Sequence, residues 1–145
     1  MIPDFDENGN LPPGVHFASW KELMRRFGTN ERRRSLLAGL HAALLSLQNA
    51  GCQTAYLDGS FVTSKTNPAD YDGLWNSAGV SLDLLDPVLL DFSNKQARQK
   101  KKFGGELFPN LPAEQDQLAL FELFQTDKAT GAQKGIIAIN LEDLE

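Results

Sequence analysis

Two aspartates, Asp70 and Asp72, flank Tyr71 and are followed by Gly73-Leu74-Trp75. Aspartate suits strand interiors poorly, so a pair of them in a strand-like run calls for a reason. In a strand the two side chains share a face, because orientation repeats every second residue. Two carboxylates about 7 Å apart on one face repel each other unless a cation lies between them. A site made only of carboxylate oxygens suits magnesium or manganese. Upstream, the short run Ala55–Leu57 reads as a strand that breaks at Gly59-Ser60, with nine residues between Ser60 and Asp70. Glycine lets backbone come close to a phosphate, and nearby amides with the Ser60 hydroxyl can bond its oxygens. Together these residues would hold a divalent cation next to a phosphate. The plain alternative is a hairpin-like connection with a solvated acidic tip.

The elements around this stretch must hold it in place. Residues 1–14 are rich in Asp, Asn, Gly and Pro and read as an extended arm ending at Pro12-Pro13-Gly14. Ser19 with Glu22 makes a capping box. Trp20, Leu23, Met24 and Phe27 then share a helical face, and Gly28 ends the helix. Asn30 starts a long helix to about Ala50, with the stripe Leu36, Leu37, Leu40, Leu44 and Leu47 laid across the sheet that carries the acids. Gly51 follows as its stop. Arg32, Arg33 and Arg34 fall in its first turn, where the helix dipole disfavours cations. They need a partner, either neighbouring carboxylates or an acidic docking molecule. Strands are expected at Thr54–Leu57 and Asp70–Trp75, with a short helical turn over 61–65.

Further on, Ser81 caps a short helix, and Asp86-Pro87 caps another that buries Val88, Leu89 and Leu90. Ser93 and Gln96 form a further capping box. Lys95, Arg98, Lys100, Lys101 and Lys102 form the one strong basic block, either a solvated face or an offset for phosphates. No aromatic residues are interleaved in the manner of single-strand binders. Gly104-Gly105 breaks the chain before a short strand, Glu106–Phe108. Pro112 opens a helix over 113–125, residues 127–131 turn, and Gly135–Leu141 is a final interior strand.

Bulk properties bound the function. The chain has 145 residues, 41% hydrophobic and 23% charged, which is ordinary for one globular domain spanning 1–145. A net charge of −5 gives the surface as a whole no attraction for nucleic acid, and no DNA partner is expected. No apolar run is long enough for a membrane span, and the acidic, proline-rich start is unlike a signal peptide. Cytoplasm is the default location. Cys52 is the sole cysteine, which excludes an internal disulfide and disfavours a zinc cluster. Neither His16 nor His41 belongs to a serine–acid arrangement, so a hydrolase triad is unsupported. His41 reads as a partly buried structural residue.

Gly59-Ser60, nine residues and then Asp70-x-Asp72 resembles the signature of the DNA polymerase β-like nucleotidyltransferase superfamily. "LPPG", "FGTN" with the arginines after it, "YLDGSFVTSK", "LLDFSN" and "GGELFP" also resemble a small bacterial family described only as nucleotidyltransferase-like, of no known substrate. The resemblance implies an α/β (α+β) fold: a small mixed sheet with helices packed mainly on one face. It implies transfer of a nucleoside monophosphate from an NTP, ATP first among them, and the basic residues at 32–34 and 95–102 point to a protein or RNA acceptor rather than a small molecule. The minimal antitoxin members of the superfamily are the nearest functional analogy, which makes a cognate toxin one such partner. Asp70 and Asp72 would hold two divalent ions, Mg2+ or Mn2+, and Gly59 and Ser60 would grip the β- and γ-phosphates. Lys65 is placed to reach the triphosphate. The superfamily's third carboxylate lies on a strand beside the Asp-x-Asp strand. Glu106 in "GELFP" is preferred, and Asp91 in "VLLDF" competes. The family pattern more often has aspartate there. The rival function is a catalytically inactive interaction protein that keeps the fold and binds a partner protein by its surface.

Overall fold

A computed structural model describes residues 2–110 and 134–144. The helix and turn expected over 113–131 lie outside the described residues. Among the described residues, five strands form one mixed sheet: β1 (Gly14–Ala18), β2 (Thr54–Asp58), β3 (Tyr71–Asn76), β4 (Gly105–Asn110) and β5 (Gly135–Asn140), in the order β1-β5-β2-β3-β4. The outer pairs β1/β5 and β3/β4 are parallel, and the inner pairs β5/β2 and β2/β3 are antiparallel. Among the described residues, three helices accompany it: α1 (Trp20–Phe27), α2 (Glu31–Asn49) and α3 (Ser93–Phe103). The fold is therefore a mixed α/β (α+β) arrangement.

Cross-strand register separates the two faces. Ala55, Leu57, Tyr71, Trp75, Leu107, Ile137 and Ile139 share one face and are buried with Leu36, Leu40, Leu44 and Leu47 of α2 and with Trp20, Leu23 and Phe27 of α1. Each such leucine contributes about 1.5–3 kcal/mol by leaving water. The Tyr71 hydroxyl donates to the Phe103 carbonyl at 3.0 Å, fastening the end of α3 to the start of β3. The opposite face carries Asp58, Asp72 and Glu106 in one row across β2, β3 and β4. Among the described residues, no helix is long and apolar enough to cross a membrane.

Caps follow the sequence at α1 and α2. Ser19 and Glu22 form the capping box, and the Asn30 side chain accepts from the Arg33 amide at 2.8 Å. Several local expectations need correction. The arm gives way at Gly14 to a strand not expected from the sequence, β1, paired with β5, and Leu11 within the arm is buried. Met24 is 48% exposed, at the edge of the stripe, and Leu90 is 37% exposed, because its turn is a 3-10 turn over Pro87–Leu90 that buries Val88 and Leu89. Ser81 makes no side-chain cap bond. Ser93 caps nothing either: its hydroxyl donates to Asp91 Oδ1 at 2.6 Å, and Asn94, Lys95 and Gln96 carry left-handed φ angles of 51°, 56° and 61°. Such a run costs about 1–2 kcal/mol per residue.

The arginine cluster makes its direct contacts with backbone carbonyls rather than with neighbouring carboxylates among the described residues. Arg33 is 3% exposed and its guanidinium donates to the carbonyls of Phe61 (2.7 Å), Thr63 (2.8 Å) and Lys65 (2.6 Å). It lies against the adjoining rings of Phe27 and Phe61, 5.7 and 5.2 Å from their centres. Arg32 donates to the carbonyls of Pro68 and Ala69, and Arg34 to that of Gly28. The partners of Arg32 and Arg33 are mainly backbone carbonyls of the loop between β2 and β3, and that of Arg34 lies between α1 and α2. That explains why cations tolerate the first turn of α2: the loop's oxygens outweigh the helix dipole.

Candidate metal and phosphate site

The loop Phe61–Lys65, held by Arg33, starts at the Gly59-Ser60 break after β2. Gly59 has φ +80° and ψ −169°, a conformation open essentially to glycine alone. A Cβ at Gly59 would also fall well inside van der Waals contact of Asp72 Oδ2. This glycine is thus required twice, by its own backbone and by the carboxylate packed on it. Gly59→Ala should lower stability by about 2–4 kcal/mol, read as a shifted urea midpoint with unchanged slope.

Asp72 lies on β3 with Asp58 opposite on β2 and Glu106 opposite on β4. Asp70 precedes β3 by one residue. Asp70, Asp72 and Glu106 each offer a carboxylate oxygen, and these oxygens lie within 4.8 Å of one another. Opposed like charges destabilise a sheet. Burial pushes the Asp72 carboxyl up to about 7, followed by a hydrogen bond with Glu106 and the charges of Asp70, Glu106 and Asp58. Burial also raises Asp70, against Lys100, while Glu106 adds to the rise. Cations at the margins offset part of the repulsion: Lys100 Nζ is 3.9 Å from Glu106 Oε2, and Lys134 Nζ is 3.3 Å from Asp58 Oδ1.

The donor set fits a divalent cation. Oxygens on opposite sides of a magnesium ion are about 4 Å apart, twice its 2.0–2.1 Å bond, so small side-chain rotations bring these three carboxylates into range. Three acids held together at a cost in repulsion gain most from a positive ion.

The structure brings Glu106 to the acid pair and leaves Asp91 elsewhere. Asp91 accepts from Ser93 and pairs with Arg98 at 3.0 Å, outside the acidic group. Gly59 packs on Asp72, and Ser60 opens the 3-10 turn Ser60–Val62, its carbonyl accepting from the Thr63 hydroxyl at 2.6 Å. Lys65 is exposed, with its charge acting on Asp70 and its carbonyl held by Arg33. Asp58 and Lys134 are not legible in the sequence as site neighbours, whereas Lys100 belongs to the basic block read as a solvated face or an offset for phosphates. Asp58 stands directly before Gly59-Ser60, and its place became readable only with the β2/β3 register. Lys134 carries no local signal. Cys52 is buried, and burial raises its thiol to about 11, so it is not a nucleophile.

A family model, described as a family of unknown function (DUF6932), matches residues 3–140. The chain belongs to the DUF6932 family. No curated protein and no solved structure matches it. The DUF6932 match spans every strand of the sheet and all three acids of the site.

Proposed function

We propose that this DUF6932 chain is a metal-dependent nucleotidyltransferase that moves a nucleoside monophosphate from an NTP, with ATP the first candidate, to a protein or RNA acceptor. The observation that carries the reading is the meeting of Asp70, Asp72 and Glu106 oxygens within 4.8 Å beside Gly59. Asp70, Asp72 and Glu106 would hold Mg2+ or Mn2+. Bound there, the cation would lower the pKa of an attacking hydroxyl and neutralise charge on a leaving pyrophosphate. The Gly59-Ser60 turn would receive the β- and γ-phosphates, kept in shape by Arg33 through the loop behind it. Positioning and charge neutralisation then supply most of the rate, as in other phosphoryl transfers. A cytoplasmic location, where nucleoside triphosphates are found, belongs to the same proposal, and so does action as the antitoxin of a toxin–antitoxin pair.

One observation favours the non-catalytic alternative, an interaction protein that retains the fold. Lys100 stands 3.9 Å from Glu106 Oε2, so the third carboxylate already has a cation near it. Melting the protein with ATP, CTP, GTP and UTP, each with and without magnesium, separates the two. The transferase reading expects at least one NTP to raise the melting temperature by about 5 °C at 100-fold excess over Kd, with magnesium only. No shift with any of the four would leave the interaction protein.

A further inference from the structure

A second cleft opens beside the carboxylates. One wall is the first half of α2, with Arg32 and Ser35, and the other is the last turn of α3, with Lys100 and Lys101. Asp70 stands where the cleft meets the metal site. Not every cation of the basic block faces this space. Arg98 turns to Asp91, whereas Lys102 lines the cleft but pairs with Asp86, and Lys100 stands 3.9 Å from Glu106 Oε2. Arg32 is fixed at the mouth by its bonds to the carbonyls of Pro68 and Ala69. Lys101 is exposed and makes no ion pair among the described residues. Four cations, Arg32, Lys100, Lys101 and Lys102, therefore line the cleft against one acid, in a chain whose net charge is −5. The cleft is built for an anion.

Its position says which anion. Asp72 separates two sides of the site, with Gly59 packed on it from β2 and Glu106 opposite it on β4. In a phosphoryl transfer the attacking and leaving oxygens are roughly in line across the phosphorus. If the leaving pyrophosphate occupies the Gly59-Ser60 side, the acceptor enters from the Glu106 side, where the cleft ends. We infer that the cleft formed by Arg32, Ser35, Lys100 and Lys101 holds the backbone phosphates of an RNA strand and delivers its 3′ hydroxyl to the carboxylates. This rests on the nucleotidyltransferase reading and narrows its acceptor. A strand end keeps its hydroxyl one sugar away from a phosphate, so a cleft that anchors the phosphate also places the hydroxyl. A protein acceptor has no fixed anion beside its hydroxyl. Phe103, the aromatic residue of the cleft, is buried in the core, which makes the grip one on backbone rather than on base. In the transfer, the 3′ oxygen bonds to the α-phosphorus as the bond to the β-phosphate oxygen breaks. Pyrophosphate leaves with that electron pair, and the hydroxyl proton passes to water.

The test is fluorescence anisotropy of a labelled eight-nucleotide oligoadenylate at low salt. Lys101→Glu and Ser35→Glu place a negative charge on opposite walls, at exposed positions that touch none of the three acids. Each should weaken binding at least tenfold, whereas Lys21→Glu, the same charge reversal as Lys101→Glu on α1, should leave it unchanged. Equal loss from all three variants would show only a general charge effect and overturn the cleft, as would no loss from any. If the oligonucleotide fails to bind while magnesium-ATP raises the melting temperature of the wild type, the cleft assignment falls in favour of a protein acceptor and the transferase reading survives. If the oligonucleotide binds through the cleft but no NTP binds with magnesium, the cleft stands and the transferase reading falls.

Discussion

Asp72→Asn is expected to stabilise the metal-free protein and to abolish its magnesium-dependent nucleotide binding. The first effect follows from the proton. Burial and the neighbouring acids raise the folded-state Asp72 carboxyl to about 7, whereas an unfolded aspartate titrates near 3.9. Between about pH 4 and pH 7 the unfolded chain loses this proton while the folded one retains it, so stability falls as pH rises through that window. The penalty at pH 8 is on the order of 2–4 kcal/mol. Asparagine carries no charge and removes most of it. Asp70, also raised by burial, leaves a shallower slope. Urea titrations at pH 4, 6 and 8 should show wild-type stability declining with pH and the variant nearly level. Saturating magnesium should flatten the wild-type profile too, since an ion favours the deprotonated acids. If the variant is instead destabilised by more than about 1 kcal/mol at pH 8, Asp72 is a structural hydrogen-bond acceptor and its raised proton affinity has been misread.

The second large effect is on the loop. Arg33→Ala should destabilise the protein by about 3–5 kcal/mol, because it strips buried and part-buried carbonyls of their donor and opens a gap beside the rings of Phe27 and Phe61. That is a large part of the 5–15 kcal/mol available to a typical domain. Arg33→Lys should recover less than half of it. One ammonium cannot span carbonyls on residues 61, 63 and 65 with the geometry of a fork. Because the same loop begins at Gly59-Ser60, nucleotide affinity should fall in Arg33→Lys even at temperatures where the protein stays folded. A lysine variant as stable as the wild type would mean that the loop is held by other contacts.

Arg33 also marks the limit of what the sequence says. Its first-turn position conflicts with the helix dipole, which is a local signal that a partner exists. The partner, a row of carbonyls about thirty residues away in the chain, is set by tertiary packing and has no side-chain identity to read. The leucine stripe of α2 and both helix N-caps are legible because they depend on residues a few positions apart. Glu106 is legible because "GELFP" reads as a strand and the resemblance places a third acid beside the pair. β1 is not, since Gly14–Ala18 becomes a strand only by pairing with β5 more than a hundred residues later. Asp58 is hidden for a similar reason: it reads as the tail of a strand until register sets it opposite Asp72. Ser93 misleads because the Asp91 carboxylate competes for its hydroxyl and amide. Short polar side chains near one another have several backbone and side-chain partners in reach, and local pattern does not rank them.

The central claim, that three carboxylates hold divalent cation together with nucleotide, is tested most directly by counting manganese. Electron paramagnetic resonance of Mn2+ titrated into protein with ATP, at pH 8, reports ions bound to the protein separately from free Mn2+ and Mn·ATP. The account expects two ions per chain in the wild type with ATP, and at least a hundredfold weaker binding in Asp72→Asn with unchanged circular dichroism. Manganese that binds equally in wild type and Asp72→Asn, or that never leaves the Mn·ATP signal in the wild type, would contradict it.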